Sequence, residues 1–270
     1  MTELQSKLLH MMKWFHSFCE KNNLRYYALG GTMLGAIRHN GFIPWDDDID
    51  VGMPRKDYEC FIRLCKEQKH SQYIVEDINT TNSDYIYGYA KLYDTTTTLV
   101  ERARKNVKRG IYMDIFPLDG VGNTEENINS IYDPIFYRYQ FVVARTCAFN
   151  KERKMYKNLV MFLARMIPQC IISNKKIIKK INDLCKAHDY DECEIIGNLL
   201  GNWGIKEIMP KKYMGQPTLY QFEDTCIYGA ENYDMYLKKL YGDWHKLPPE
   251  EKRITHHDAI ECDLNKSFLE

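Results

Sequence analysis

The sequence predicts an α/β (α+β) protein: a mixed β-sheet flanked by helices, with a helical middle and C-terminal part. Three observations carry this. Short runs rich in Tyr, Ile and Val are bounded by Gly, Pro and Asp, as strands are. Longer stretches with apolar residues every three to four positions alternate with them, as helices do. The 270-residue chain is 44% hydrophobic and 13% aromatic, enough to fill one large core.

The elements follow in order. Residues 2–22 form a helix: Thr2 and Gln5 make a capping box, and Leu4, Leu8, Met11, Met12, Phe15, Phe18 and Cys19 mark one apolar face. "RYYAL" (Arg25–Leu29) is a short strand that ends at Gly30-Gly31. Thr32 then opens a short helical segment through Ile37, so the glycines mark a strand-to-helix turn. "WDDDIDVGM" (Trp45–Met53) is a second strand, broken by Pro54. Residues 57–68 form an amphipathic helix with Tyr58, Phe61, Ile62 and Cys65 inward. "IYGYAKLYD" and "TTTTLVE" suggest a β-pair, and "GIYMDIFPLDG" (Gly110–Gly120) another strand, stopped by Pro117. Residues 124–186 are helical, 187–216 mixed, and Ala230–Gly242 a late helix. The organisation expected is a catalytic core over 1–123, a basic helical insertion over 124–186 and a C-terminal segment over 187–270 completing a cleft, all in one unit.

Composition narrows the function. The 37 basic and 37 acidic residues cancel, which argues against a nucleic-acid partner. No stretch reaches the roughly 18 apolar residues of a membrane span, and the first residues lack a secretory pattern. Nine scattered cysteines without a C-x-x-C pair point to reduced thiols, and with the foregoing to a soluble, cytoplasmic protein. Residues 145–186 hold eleven Lys or Arg against Glu152 and Asp183. A solvated face is the plain explanation; peripheral contact with anionic lipid, with the protein at the inner face of the membrane, is the sharper one.

The chemistry concentrates in "GGTMLGAIRHNGFIPWDDDIDVGMP" (Gly30–Pro54). On a strand Asp46, Asp48 and Asp50 share one face and Asp47 points away. Carboxylates so close do not all stay ionised without a cation, and Mg²⁺ takes oxygen ligands, one or two carboxylates plus phosphates. Asp114, an acid within an apolar β-run, is the candidate third ligand, with Asp119 a weaker one. The Gly30-Gly31-Thr32 turn offers close backbone approach and helix N–H groups to a phosphate. Arg38 and Lys91 are charge partners for it. A calcium loop fits poorly, because Val51 stands where Gly is needed and Asp57 where Glu is needed. His256 or His257 is a weaker base or substrate contact. Cys185, His188 and Cys193 lack a fourth ligand for zinc.

These residues resemble the LicD family of phosphorylcholine transferases, related to fukutin. The block Gly30–Glu59 carries the resemblance; "GIYMDIFPLDG", "YQFEDT" (Tyr220–Thr225) and "YLKKLYGDWHKLPPEEKR" (Tyr236–Arg253) support it. The resemblance implies a nucleotidyltransferase-like fold and Mg²⁺-dependent transfer, with Mn²⁺ as the alternative ion. A phospho-alcohol would move from a CDP-alcohol such as CDP-choline to a glycan or lipid-linked glycan hydroxyl, in lipopolysaccharide, teichoic acid or capsule synthesis. It implies Asp48, Asp50 and Asp114 as catalytic metal carboxylates, with Gly30 and Gly31 facing the donor diphosphate and Phe222 and Glu223 on the substrate side. To these the reading of the residues themselves adds Thr32, Arg38, Lys91 and His257 as substrate contacts. Two other readings stay open: a nucleotidyltransferase releasing pyrophosphate from an NTP, and a non-catalytic metal- or glycan-binding protein.

Overall fold

The N-terminal helix α1 (Glu3–Lys21) begins as expected: Gln5 N–H donates to Thr2 Oγ1 and Thr2 N–H donates back to Gln5 Oε1. This is a computed structural model describing residues 1–68, 71–80, 87–148, 154–255 and 259–270. Among the described residues the order continues with β1 (Tyr27–Ala28), α2 (Gly30–His39), β2 (Asp50–Pro54), α3 (Arg55–Glu67), β3 (Tyr73–Glu76), β4 (Ala90–Asp94), β5 (Thr98–Glu101), β6 (Val107–Arg109) and β7 (Tyr112–Gly122). The helices α4 (Ile128–Thr146), α5 (Met155–Met166) and α6 (Asn174–Cys185) follow. The chain closes with β8 (Ile195–Gly197), β9 (Ile208–Pro210), α7 (Lys211–Met214), β10 (Thr218–Phe222), β11 (Thr225–Gly229), α8 (Tyr233–Tyr241) and β12 (Ala259–Asp263).

The main sheet is mixed, in the order β1-β2-β7-β4-β3, with β8 and β9 extending it along the second half of β7. β2 and β7 run parallel, and the other pairings are antiparallel. The α/β class is therefore as expected. α1 and α3 share one face, where Phe15 and Phe18 both pack edge-on against Phe61. The inward residues of α3 are those its periodicity marks: Tyr58, Phe61, Ile62 and Cys65. All nine cysteines are free thiols.

Four expectations are corrected. First, the aspartate run is not a strand: only Asp50 onward is paired, while 46–49 is irregular. Gln5 of α1 holds that stretch, donating from Nε2 to Ile43 O and Asp46 O. Second, α2 starts at Gly30 rather than Thr32, because Gly30 at φ +49° turns the chain out of β1 directly into the helix. Third, "IYGYAKLYD" and "TTTTLVE" do not pair with each other; β4 lies in the main sheet, whereas β5 pairs with β6 and β12. Fourth, β7 runs straight through Pro117. Asp114 N–H points to β2, donating to Ile49 O, so by alternation the N–H that Pro117 lacks would point the other way. On that side β4 ends opposite Ile115 and β8 begins opposite Asp119, so no ladder bond is lost.

Candidate active site

The site grows from the edge where β1 turns into α2 and β2 begins. Asp50 opens β2 and lies in register with Asp114 of β7; on the other side of β7, Asp114 lies in register with Lys91 of β4. Thr32 fixes Asp50 from α2, its Oγ1 accepting the Asp50 N–H at 2.9 Å, and Leu29 N–H donates to Asp50 O. Thr32 is thus the clamp between helix and acid strand.

The two glycines have different reasons. Gly30 adopts a left-handed conformation, and a side chain there would point toward Asp50 Oδ2 and the Tyr241 hydroxyl, both 3.7 Å from its Cβ position. At Gly31 a Cβ would meet Asp46 Oδ2 at 2.6 Å, so this glycine admits the aspartate run onto the N-terminus of α2. That N-terminus has no side-chain cap from its own N-cap residue. Instead Gly30 N–H donates to the Tyr236 hydroxyl of α8 at 2.9 Å.

Electrostatics mark the cluster. Burial raises the Asp50 carboxyl well above the usual range, and the negative charges of Asp48, Asp114, Glu207 and Asp46 push it the same way. Asp47 is absent from that set; it faces a small cavity of about 90 Å³, which Asp48, Leu4, Leu8, Leu99, Ile111 and Tyr112 also line. Burial raises Asp114 too, opposed by Lys91. Lys91 Nζ lies 2.8 Å from Asp114 Oδ1. That oxygen nevertheless lacks a well-aligned hydrogen bond, so the contact is an ion pair of poor direction. Lys91 is 2% exposed, and its ammonium sits over the Tyr112 ring at 3.4 Å and the Tyr87 ring at 4.4 Å. It faces Asp114 and the rings rather than open solvent.

The acids do not form a finished metal cage. Among the described residues no group of three His, Cys, Asp or Glu stands close enough to hold an ion. The donor chemistry still fits Mg²⁺, which needs only one or two protein carboxylates and takes its remaining oxygens from phosphates and water. The mutual repulsion around Asp50 is the property a cation would relieve.

The other expected residues are more dispersed. Arg38 lies at the end of α2 and donates from Nη1 to Trp244 O at 3.0 Å. Phe222 is fully buried, edge-on to Phe42 at 4.9 Å. Glu223 Oε1 accepts the Phe42 N–H at 3.0 Å, and Glu223 N–H donates to Asn40 O at 2.7 Å. In this structure Phe222 and Glu223 therefore fasten the turn that leads into the acids. Asp119 lies farther along β7, bound by Arg55, away from the acids around Asp50. His256 and His257 lie outside the described residues.

Three site residues escape a local reading of the sequence: Glu207, Tyr236 and Tyr241. Glu207 is buried, and burial raises its carboxyl to about 7 although Trp203 N–H and Asn198 hold it. Tyr236 and Tyr241 project from α8 beside Asp50. The tyrosines stand in the block beginning at Tyr236, which offered a signal, whereas Glu207 stands in an unremarkable stretch, Gly204–Pro210, that offered none.

Comparison with known proteins places these features in context. Residues 23–157 match the family described as LicD/FKTN/FKRP, nucleotidyltransferase domain. The chain is 32% identical over 257 residues to lipopolysaccharide cholinephosphotransferase LicD of Haemophilus influenzae, covering 94% of this chain and 95% of that protein. Over 38 residues it is 47% identical to human ribitol 5-phosphate transferase FKRP, covering 14% of this chain and 8% of that protein. Over 121 residues it is 27% identical to mannosyltransferase regulator 4 of Saccharomyces cerevisiae, covering 42% and 10%.

Proposed function

The chain belongs to the LicD/FKTN/FKRP family and is a phosphotransferase of the LicD type, and from that premise we propose that it moves phosphocholine from CDP-choline to a glycan hydroxyl. The coarser statement, transfer of a phospho-alcohol to a glycan, rests on the activities of a cholinephosphotransferase and a ribitol phosphate transferase among its relatives. One observation of the site carries the reading: Asp50 in register with Asp114, beside an α2 N-terminus entered through Gly30.

The residues divide the work as follows. With Gly30 N–H given to the Tyr236 hydroxyl, the N–H groups of Gly31 and Thr32 at the head of α2 bind the donor diphosphate, favoured by the helix dipole. Asp48, Asp50 and Asp114 would supply the one or two carboxylates that Mg²⁺ needs beside the donor phosphates, and the ion would neutralise charge on the diphosphate and the departing nucleotide. Thr32 keeps Asp50 at the head of β2, and Lys91 keeps Asp114 turned into the site. Asp114, raised by burial, accepts the proton of the acceptor hydroxyl. The new bond joins the acceptor oxygen to the phosphorus that bears the alcohol. The bond that breaks is the bridge of the diphosphate, and CMP leaves with its electron pair. The product would enter lipopolysaccharide, teichoic acid or capsule.

The test is a panel of CDP-choline, CDP-ribitol and CDP-glycerol with Mg²⁺ and a glycan acceptor, reading released nucleotide. CMP from CDP-choline, exceeding that from the others, is the expected outcome. Pyrophosphate from CTP would replace the proposal with nucleotidyl transfer. Absence of turnover, with no rise in melting temperature on adding Mg²⁺ and CDP-alcohol, would leave a binding protein.

A further inference from the structure

Helix α5 is amphipathic in the wrong sense for a soluble domain. Its inward residues are Met161 and Ala164, whereas Met155 is 87% exposed and Leu159, Val160, Phe162, Leu163 and Met166 are each more than half exposed. At about 100° per residue the exposed set fills one continuous arc. Lys157, Asn158 and Arg165 fall outside it.

This arrangement is fastened. Arg145 of α4 is buried and donates to Ile167 O and Ile172 O, at either end of the link between α5 and α6. Arg165 donates from Nε to Ala144 O and from Nη2 to Cys147 O. The helix is therefore tied to α4 by its polar side while its apolar side faces outward. Ile171 of the link is 72% exposed as well.

The charge beside it narrows the occupant. α6 turns Ile178, Ile181 and Cys185 inward and exposes Lys175, Lys176, Lys179 and Lys180. None of these four has an ion-pair partner among the described residues, and no acid occurs from Lys154 to Asn182. Protein interfaces are depleted in lysine, whereas an apolar arc with neighbouring lysines is the signature of a helix lying in the headgroup region of an anionic bilayer. No helix among the described residues is long and apolar enough to cross a membrane, so the contact is peripheral.

We infer that α5 seats its exposed arc in an anionic lipid surface, with the α6 lysines on the headgroups. The inference does not depend on what the acid site catalyses. The experiment is sedimentation of the full chain with vesicles of phosphatidylcholine mixed with phosphatidylglycerol, against phosphatidylcholine alone. Binding to the mixed vesicles, weakened by salt, is expected. Leu159→Ser with Leu163→Ser lowers it roughly a hundredfold, and Lys175→Ser with Lys179→Ser roughly twentyfold. Both variants alter solvent-facing side chains, so an unchanged melting temperature certifies their folds. A Trp introduced as Phe162→Trp shifts to the blue and is quenched by brominated lipid only when the mixed vesicles are present. Equal binding by the leucine variant, or no binding by the native chain, overturns the inference. So does a native dimer that the leucine variant dissociates, which would assign the arc to a second copy of the chain.

Discussion

β7 carries two acids, Asp114 near its start and partly exposed, Asp119 five positions later and fully buried, and the fold neutralises them differently. Asp119 receives both prongs of one guanidinium: Arg55 Nε reaches Oδ1 at 2.7 Å and Nη2 reaches Oδ2 at 2.6 Å. Burial pushes the Asp119 carboxyl up despite this partner, whereas Arg55 ends above its usual value; the paired short contacts mark the two as an ion pair. Asp114 has one misdirected ammonium and lies beside like charges that raise the Asp50 carboxyl. An acid that the protein fully pairs serves the scaffold. An acid left among like charges, next to a helix N-terminus, is placed for something that arrives from outside.

The largest expected effect separates the two directly. Asp50→Asn removes one of the proposed oxygen ligands and one like charge, and should lower turnover by roughly 10³, the several kcal/mol a metal's charge stabilisation would supply. The melting temperature without Mg²⁺ should hold or rise, because repulsion within the cluster falls. Asp119→Asn should do the reverse in stability, stranding Arg55 at a cost of about 3–5 kcal/mol. Calorimetry and CMP release on the same two variants settle the comparison. If Asp50→Asn unfolds the protein and Asp119→Asn does not, the division between site acid and scaffold acid is wrong.

A third acid tests the same principle through pH. Burial raises the Glu207 carboxyl from 4.5 to about 7. Its folded value lies above its unfolded value, so its contribution is fully present below pH 4.5 and is lost as pH rises toward 7. The loss is about 3 kcal/mol at 1.36 kcal/mol per unit. Glu207→Gln should therefore flatten the stability profile between pH 4.5 and 7 and raise the melting temperature at pH 8. An unchanged profile would mean that another group titrates there.

How much of this was legible in the sequence follows from the range of each interaction. The capping box at Thr2 and Gln5, the inward face of α3 and the turn at Gly30 depend on residues within a few positions, and periodicity exposes them. The neighbourhood of Asp50 and Asp114 was also readable, since Asp114 is an acid in an apolar run and the crowded aspartates up to Asp50 repel one another, so that both call for a shared counter-charge. The irregular path of 46–49 was not, because the Gln5 amide that holds it comes from another helix. Pro117 misled because its effect depends on which side of β7 is unpaired at that point. Glu207 and Tyr236 reach the site from segments about 160–200 residues away, a separation that no local pattern encodes.

The smallest predicted effect concerns the residue whose expected and observed surroundings differ most. Glu223 holds φ +54°, unusual for a residue with a side chain, and a Cβ on Gly41 would strike its Oε1 at 2.2 Å. Such close fitting, with Phe42 N–H donating to Oε1, locks the hairpin of β10 and β11 onto the turn that feeds the aspartates. Glu223→Ala leaves that N–H without its partner and should cost about 1–2 kcal/mol. Glu223→Gln keeps an oxygen in place and should recover most of the loss, with KM for the donor within roughly threefold of the native value, under 1 kcal/mol of binding. A Gln variant that folds normally but raises KM for the CDP-alcohol tenfold or more, about 1.4 kcal/mol, would instead place Glu223 against the substrate. Melting temperature and donor saturation curves for the pair thus decide whether this acid belongs with Asp119, held inside the scaffold, or with Asp114.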